Sequence, residues 1–200
     1  DLRTNNSINY TSPSMGGLSV AAASVFGAEG AASGDKKGTL MSLAGMYNMS
    51  GIYATLAYQS VKFGTVGDLN AVTWGAAVDD KSTALKLGGG FSMDAFTVNA
   101  VVERLKDTQA IGSVETTGTN MYLAGKFALG EADSVRAAYT KRGETDTAGV
   151  KNADDASQIA IGFAHDMSKA TSVYATYAKT TANGTLADPS VVSFGMKHAF

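Results

Sequence analysis

Along most of the chain, large apolar side chains recur at every second position, in short runs separated by glycine, proline, asparagine, serine and aspartate. A period of two is the signature of a β-strand, and the intervening residue types are those that turn one. The run at 190–200, SVVSFGMKHAF, shows the pattern well. Counting back from Phe200 places His198, Met196, Phe194 and Val192 on one face, and Ala199, Lys197, Gly195, Ser193 and Val191 on the other. Ten further runs read as strands, at 5–11, 18–26, 40–48, 52–59, 83–91, 96–104, 120–129, 134–142, 157–165 and 171–180. The chain is therefore expected to be all-β, with eleven antiparallel strands in a single domain over 1–200.

The connections are unequal in a regular way. Short breaks fall near Pro13, Ser50, Met93, Glu131 and Lys169, a hairpin period of 37 to 43 residues, and longer loops alternate with them. Short turns on one rim and long polar loops on the other describe a barrel that crosses a membrane, with apolar side chains toward lipid and small or polar ones toward water. A soluble sandwich has no reason to keep this asymmetry. The longest connection, 63–82, holds the single tryptophan, Trp74, and is open to three readings: a surface loop, a short helix or an extra strand. Bacterial single-chain barrels have an even number of strands with both termini on the turn side, so eleven strands do not close. Either a strand is missed around Trp74 or N-terminal strands are missing, and the second is preferred.

Composition narrows this picture without creating it. At 44% hydrophobic and 17% charged the chain is close to an ordinary soluble protein, so the patterning alone points to lipid. No run of about eighteen apolar residues exists, which excludes a spanning helix; a closed sheet is the other structure that satisfies its backbone in a bilayer. The absence of cysteine excludes a disulfide framework and thiolate chemistry. A net charge of −2 gives no footprint for nucleic acid.

Setting the large apolar residues outward, for example Leu85, Leu87 and Phe91 or Ile159, Ile161 and Phe163, decides which charges face water. The inward set holds Arg3, Lys86, Lys126, Arg136, Arg142 and Lys197 against Glu103 and Asp166. Most other carboxylates, including Asp35, Asp68, Asp79, Asp80, Asp107, Glu115, Asp146, Asp154, Asp155 and Asp188, fall in loops and turns. The predicted lumen is basic beneath an acidic rim, an arrangement that concentrates anions in a narrow aqueous channel. The plainer alternative is a set of ordinary lumen charges, some paired with carboxylates elsewhere. Lys62, Arg104, Lys141 and Lys179 fall on the outward phase near the loop ends, where long side chains reach the headgroups. Tyr10, Tyr47, Tyr58, Phe127, Tyr139, Phe194 and Phe200 are outward too, and suit aromatic girdles or a subunit interface.

Catalytic chemistry finds little support. The two histidines, His165 and His198, sit on the outward phase near the turn rim without an evident serine partner, and Asp166 points to the other side of its strand. They read as interfacial rim residues. Gly88, Gly89 and Gly90 lack the Lys-Ser/Thr of a phosphate loop and lie inside a strand, where glycines permit bending or close packing. No His/Asp/Glu group has metal-ligand spacing, so no metal, cofactor or enzymatic step is expected.

Four stretches, RTNNSINYTSPSMGGL, GIYATLAYQ, AHDMSKATSVYATYAK and SFGMKHAF, resemble the Gram-negative general porins of the beta-proteobacterial type, and the resemblance runs over essentially the whole chain. It implies a transmembrane antiparallel β-barrel of sixteen strands, of which these eleven are the C-terminal portion. The run 5–11 becomes the sixth strand, following a constriction loop that this sequence does not hold. The resemblance implies an outer-membrane channel for passive diffusion of small hydrophilic solutes and ions. Its expected partners are two further copies in a homotrimer, outer-membrane lipid and lipopolysaccharide. The terminal strand, with Phe194, Met196, His198 and Phe200, resembles the signal read by the barrel-insertion machinery. Arg3, just ahead of the strand that follows the constriction loop, is the best placed of the inward cations. The alternative is a non-channel outer-membrane barrel, an adhesin or structural anchor. An adhesin would concentrate interaction residues in its loops, which here are acidic, rich in Gly, Ala and Thr, and low in aromatics.

Overall fold

The computed structural model describes residues 5–27, 32–184 and 187–199, so Arg3 and Phe200 lie outside the described residues. The strands are β1 (Ser7–Thr11), β2 (Leu18–Val25), β3 (Thr39–Met49), β4 (Ile52–Lys62), β5 (Lys81–Met93), β6 (Phe96–Thr108), β7 (Glu115–Leu129), β8 (Asp133–Arg142), β9 (Asp146–Thr147), β10 (Val150–Lys151), β11 (Ala156–Asp166), β12 (Thr171–Ala182) and β13 (Ser190–His198). Eleven of them form one antiparallel path in which each strand pairs with the next, β8 passing directly to β11. The remaining two, β9 and β10, make a small ribbon within the loop between β8 and β11, tied back to β7. All eleven expected strands are present, and no helix occurs among the described residues.

The turn side and the loop side are built differently. Ser50 and Gly51, joining β3 to β4, both have positive φ, 53° and 78°, which is the two-residue hairpin whose twist matches that of the flanking strands. Asp94 (φ 47°) and Gly130 (φ 88°) serve the next two short turns. On the other rim the strands run further than apolar alternation indicates. The span 105–119, expected as a loop, is mostly strand: β6 continues to Thr108 and β7 begins at Glu115. The physical reason is that a barrel wall standing above the membrane is wetted on both faces. Its side chains turn polar while the backbone ladder continues, as where Lys106 pairs with Thr83 and Thr117. Around Trp74 no further strand forms; 63–80 is a loop of turns with isolated bridges.

The two faces of the sheet differ as the alternation requires. One carries exposed apolar side chains throughout, among them Leu87 (60% exposed), Ile161 (54%) and Phe194 (80%). Among the described residues no large side chain is fully buried. In water this sheet would forgo roughly 1.5–3 kcal/mol for each such residue left exposed instead of covered. A soluble sandwich is incompatible with that surface, whereas lipid covers it. The buried residues Val25, Leu40, Val61 and Leu69, with Phe63 against them, form one small cluster, and it lies on the opposite face.

Candidate functional site

Cross-strand register collects the inward residues into rows. One row runs from Lys86 on β5 through Glu103, Asn120 and Arg142 to Ala156 on β11. A second, nearer the turns, runs Thr97, Lys126, Arg136, Gly162 and Thr176. Lys197 joins the same face through Ser172, which also pairs with Asp166. The structure thus brings Lys86, Glu103, Lys126, Arg136, Arg142 and Lys197 to one face of the sheet, away from the apolar one. Phe194, Met196 and His198 lie together on the apolar face of β13.

These charges are not equivalent. Lys86 Nζ lies 3.0 Å from Glu103 Oε1, while the Asn120 amide donates to the other oxygen of Glu103 at 3.3 Å, so this cation and carboxylate satisfy each other. Arg142 donates through Nε to the Asp154 carbonyl at 3.0 Å, and its Nη2 donates to the same oxygen. Lys126 and Arg136 stand directly opposite each other on β7 and β8, and neither has an ion-pair partner among the described residues. Around them the side chains are small. Ala124, Ala138, Ala160 and Gly162 leave a recess of about 430 Å³, with Tyr122 and Asn99 at its border.

Toward the loop rim the inner face is closed by its own chain. Val25, Leu40 and Val61 form a continuous inward row across β2, β3 and β4, and Leu69 (3% exposed) covers them. The 63–80 loop therefore lies over the water-facing side of the wall. Its neck is held by backbone bonds between Phe63 and the Asp79–Asp80 pair, and its body by Thr65 N–H donating to the Lys36 carbonyl at 2.8 Å. Trp74 Nε1 donates to the Asp68 carbonyl at 2.9 Å, so the tryptophan braces this loop from within. Gly64 is required here, because a Cβ would run into the Lys36 carbonyl and the Gly38 amide.

The loop carboxylates of the acidic rim are largely occupied as staples. Hydrogen bonds from Lys36 and Lys62 hold the Asp79 carboxyl below its ordinary range. Thr145 does the same for Asp154, through its backbone N–H at 2.8 Å and then its hydroxyl at 2.9 Å. Asp80 accepts from Ala77 N–H and from Ala110 N–H, both at 2.8 Å, joining two loops. Asp107 and Glu115 are not in loops. They sit on extended strands, Asp107 inward and Glu115 outward, where Glu115 lies 2.5 Å from Lys106.

Both histidines lie on the apolar face by the turn rim, with partners that local spacing does not reveal. His165 Nδ1 is 2.8 Å from Asp133 Oδ1, and His198 Nδ1 is 2.7 Å from Thr171 Oγ1. The two pairs are separate, each joining neighbouring strands across the sheet. The inward tyrosines Tyr53, Tyr122 and Tyr174 were also hidden in the sequence, where the outward aromatics draw attention first; their sign is the opposite phase to Tyr47, Tyr58 and Tyr139. Tyr174 lies over Gly195, and Thr55 and Asn99 lie over Gly88 and Gly90, so these strand glycines serve close packing.

Solved structures similar to this fold include an anion-selective porin from Comamonas acidovorans, with TM-score 0.76 and 19% identity over 98% of this chain. A loop-L8 deletion mutant of the Vibrio cholerae outer-membrane protein OmpT gives TM-score 0.73 at 14% identity over 98% of this chain, and outer-membrane expressed OmpT of the same organism gives 0.71 at 11% over 98%. The chain spans 60%, 63% and 65% of the length of these three proteins. No curated protein matches it at the level of sequence. The family model of the Gram-negative porins matches residues 1–185, a family that points to a channel rather than an enzyme. The chain accordingly belongs to the Gram-negative porins, outer-membrane β-barrel proteins whose strands alternate between lipid and a water-facing interior.

Proposed function

We propose that this chain forms part of the wall of an anion-preferring diffusion channel, carrying small hydrophilic solutes and ions without a catalytic step. The observation that carries the reading is the Lys126 and Arg136 pair, two cations on the inner face with no carboxylate set against them among the described residues. Fixed positive charge on the wall of a narrow aqueous channel raises the local anion concentration. Lys86, Glu103, Arg142, Lys197 and Arg3 complete the proposed pore lining. One solved neighbour is described as anion-selective, but at 19% identity its likeness speaks for the fold, so the charges of this chain bear the argument. The proposed assembly is a homotrimer of sixteen-stranded barrels set in lipopolysaccharide. Phe194, Met196, His198 and Phe200 are the proposed insertion signal. The reversal potential of the full-length protein in a planar bilayer under a KCl gradient tests the reading. A potential on the chloride side is expected; one on the potassium side overturns the anion preference, and folded trimers that conduct nothing overturn the channel itself.

A further inference from the structure

We infer that the recess beside Lys126 and Arg136 is a binding station for small oxyanions, of the phosphate or carboxylate class, on the route through the channel. The inference rests on the anion-preferring reading and goes beyond it, since a diffuse basic wall attracts anions without holding them at any one place. Like charges directly opposite on neighbouring strands repel, and sheets ordinarily avoid the pairing or answer it with a carboxylate. Elsewhere on this same face the register does answer it, with Glu103 opposite Lys86. Around Lys126 and Arg136 it does not. The flanking residues in their row are Thr97 and Gly162, the next inward row toward the loops is Asn99, Ala124, Ala138 and Ala160, and toward the turns it includes Ala128, Ser134 and Ala164. No carboxylate occurs in any of them.

The space has the matching chemistry. Alanine and glycine on three adjacent strands clear about 430 Å³ at the cations, ample for a tetrahedral oxyanion with its water. The guanidinium of Arg136 offers a planar pair of donors suited to two oxygens of one anion, and Lys126 adds a point charge. Neutral donors border the same recess on Thr97, Asn99, Tyr122 and Thr176. The hydroxyl of Thr176 stands over Gly162, where a Cβ would come within 3.2 Å of it, and Gly162 is the residue that separates Thr176 from Arg136 in this row. A bound oxyanion would relieve the repulsion that the register imposes. Conduction requires the hold to be weak enough for release, so the station slows an oxyanion's passage without sealing the channel to it.

The test uses the full-length protein in planar bilayers, with chloride carrying the current and inorganic phosphate added as the probe. The chloride current is expected to fall saturably with phosphate. Lys126→Ser and Arg136→Ser are each expected to raise the half-blocking phosphate concentration about ten-fold, the loss of one charge-assisted contact. Ala160→Leu fills the recess and leaves both charges in place. It is expected to abolish the saturable block. A chloride-preferring channel whose current declines only linearly with phosphate, or whose block survives Ala160→Leu, overturns the station and leaves the selectivity reading standing. A potassium-preferring channel that still shows the block, sensitive to these substitutions, keeps the station and overturns the selectivity reading.

Discussion

The inner face has two sectors that use the same alternating strands to opposite ends. Across β2–β6, Leu69 covers the apolar row Val25, Leu40 and Val61, and Glu103 answers Lys86. That apolar row and that charge pair are both satisfied within the protein, and the wall is closed over the row. Across β7–β12, Lys126 meets Arg136 over a floor of alanine and glycine, and both charge and space are left to the solvent. Strand phase tells which residues face the water. Cross-strand register tells which of those remain available to a solute.

The contrast can be broken from the closed side. Leu69→Ala removes the side chain that covers the apolar row and is expected to weaken docking of the 63–80 loop by about 2–4 kcal/mol, the usual cost of emptying a buried leucine site. The readout is faster protease cleavage within 63–80 of the reconstituted protein, with the strands still protected and the reversal potential little changed. A cleavage rate equal to the parent's would mean that the loop is held by its polar contacts alone.

A smaller effect is expected from acid. Asp79 is held below its ordinary range, first by the hydrogen bond from Lys36 and then by that from Lys62. A carboxyl lowered in the folded state contributes stability that is fully present above its unfolded value, about 3.9, and is lost as pH falls from there through the lowered folded value. Cleavage within the loop is therefore expected to accelerate in that acid window and to be flat at neutral pH. Asp79→Asn should abolish the acid step and bring part of the acceleration to neutral pH. An acid step that survives Asp79→Asn would assign it to another carboxyl.

The smallest effect belongs to the answered pair. Lys86→Ser with Glu103→Ser removes one charge of each sign, already matched across the strands, and partly exposed pairs of this kind contribute under about 1 kcal/mol. Folding yield and reversal potential are both expected to stay close to the parent's. A large shift in reversal potential would mean that the pair opens in the working channel.

The legibility of the sequence follows the same division between local and cross-strand information. Alternation is local, so every strand of the main path could be read from runs such as Ile52 to Gln59. Its inward and outward residues keep those sides in the structure. Strand ends on the loop side were not legible, because β6 beyond Arg104 and β7 before Asn120 continue in water, where neither face needs apolar side chains. The docked loop was signalled only by Val25, Leu40 and Val61, three apolar residues on the inward phase. Their adjacency depends on a register that no single strand contains. The same holds for His165 with Asp133, which are 32 residues apart and meet across β8 and β11. It also holds for the difference between Lys86 and Lys126. Both are inward lysines by phase, and only their neighbours across the sheet separate an answered charge from an open one.

One measurement separates the sectors as sources of selectivity: the KCl reversal potential of the full-length channel carrying Lys126→Ser with Arg136→Ser, beside that of Lys86→Ser with Glu103→Ser. Loss of most of the chloride preference in the first variant and a near-parental potential in the second is the expected result. Equal potentials in the two variants, or a chloride preference that survives removal of Lys126 and Arg136, would show that selectivity arises outside this wall.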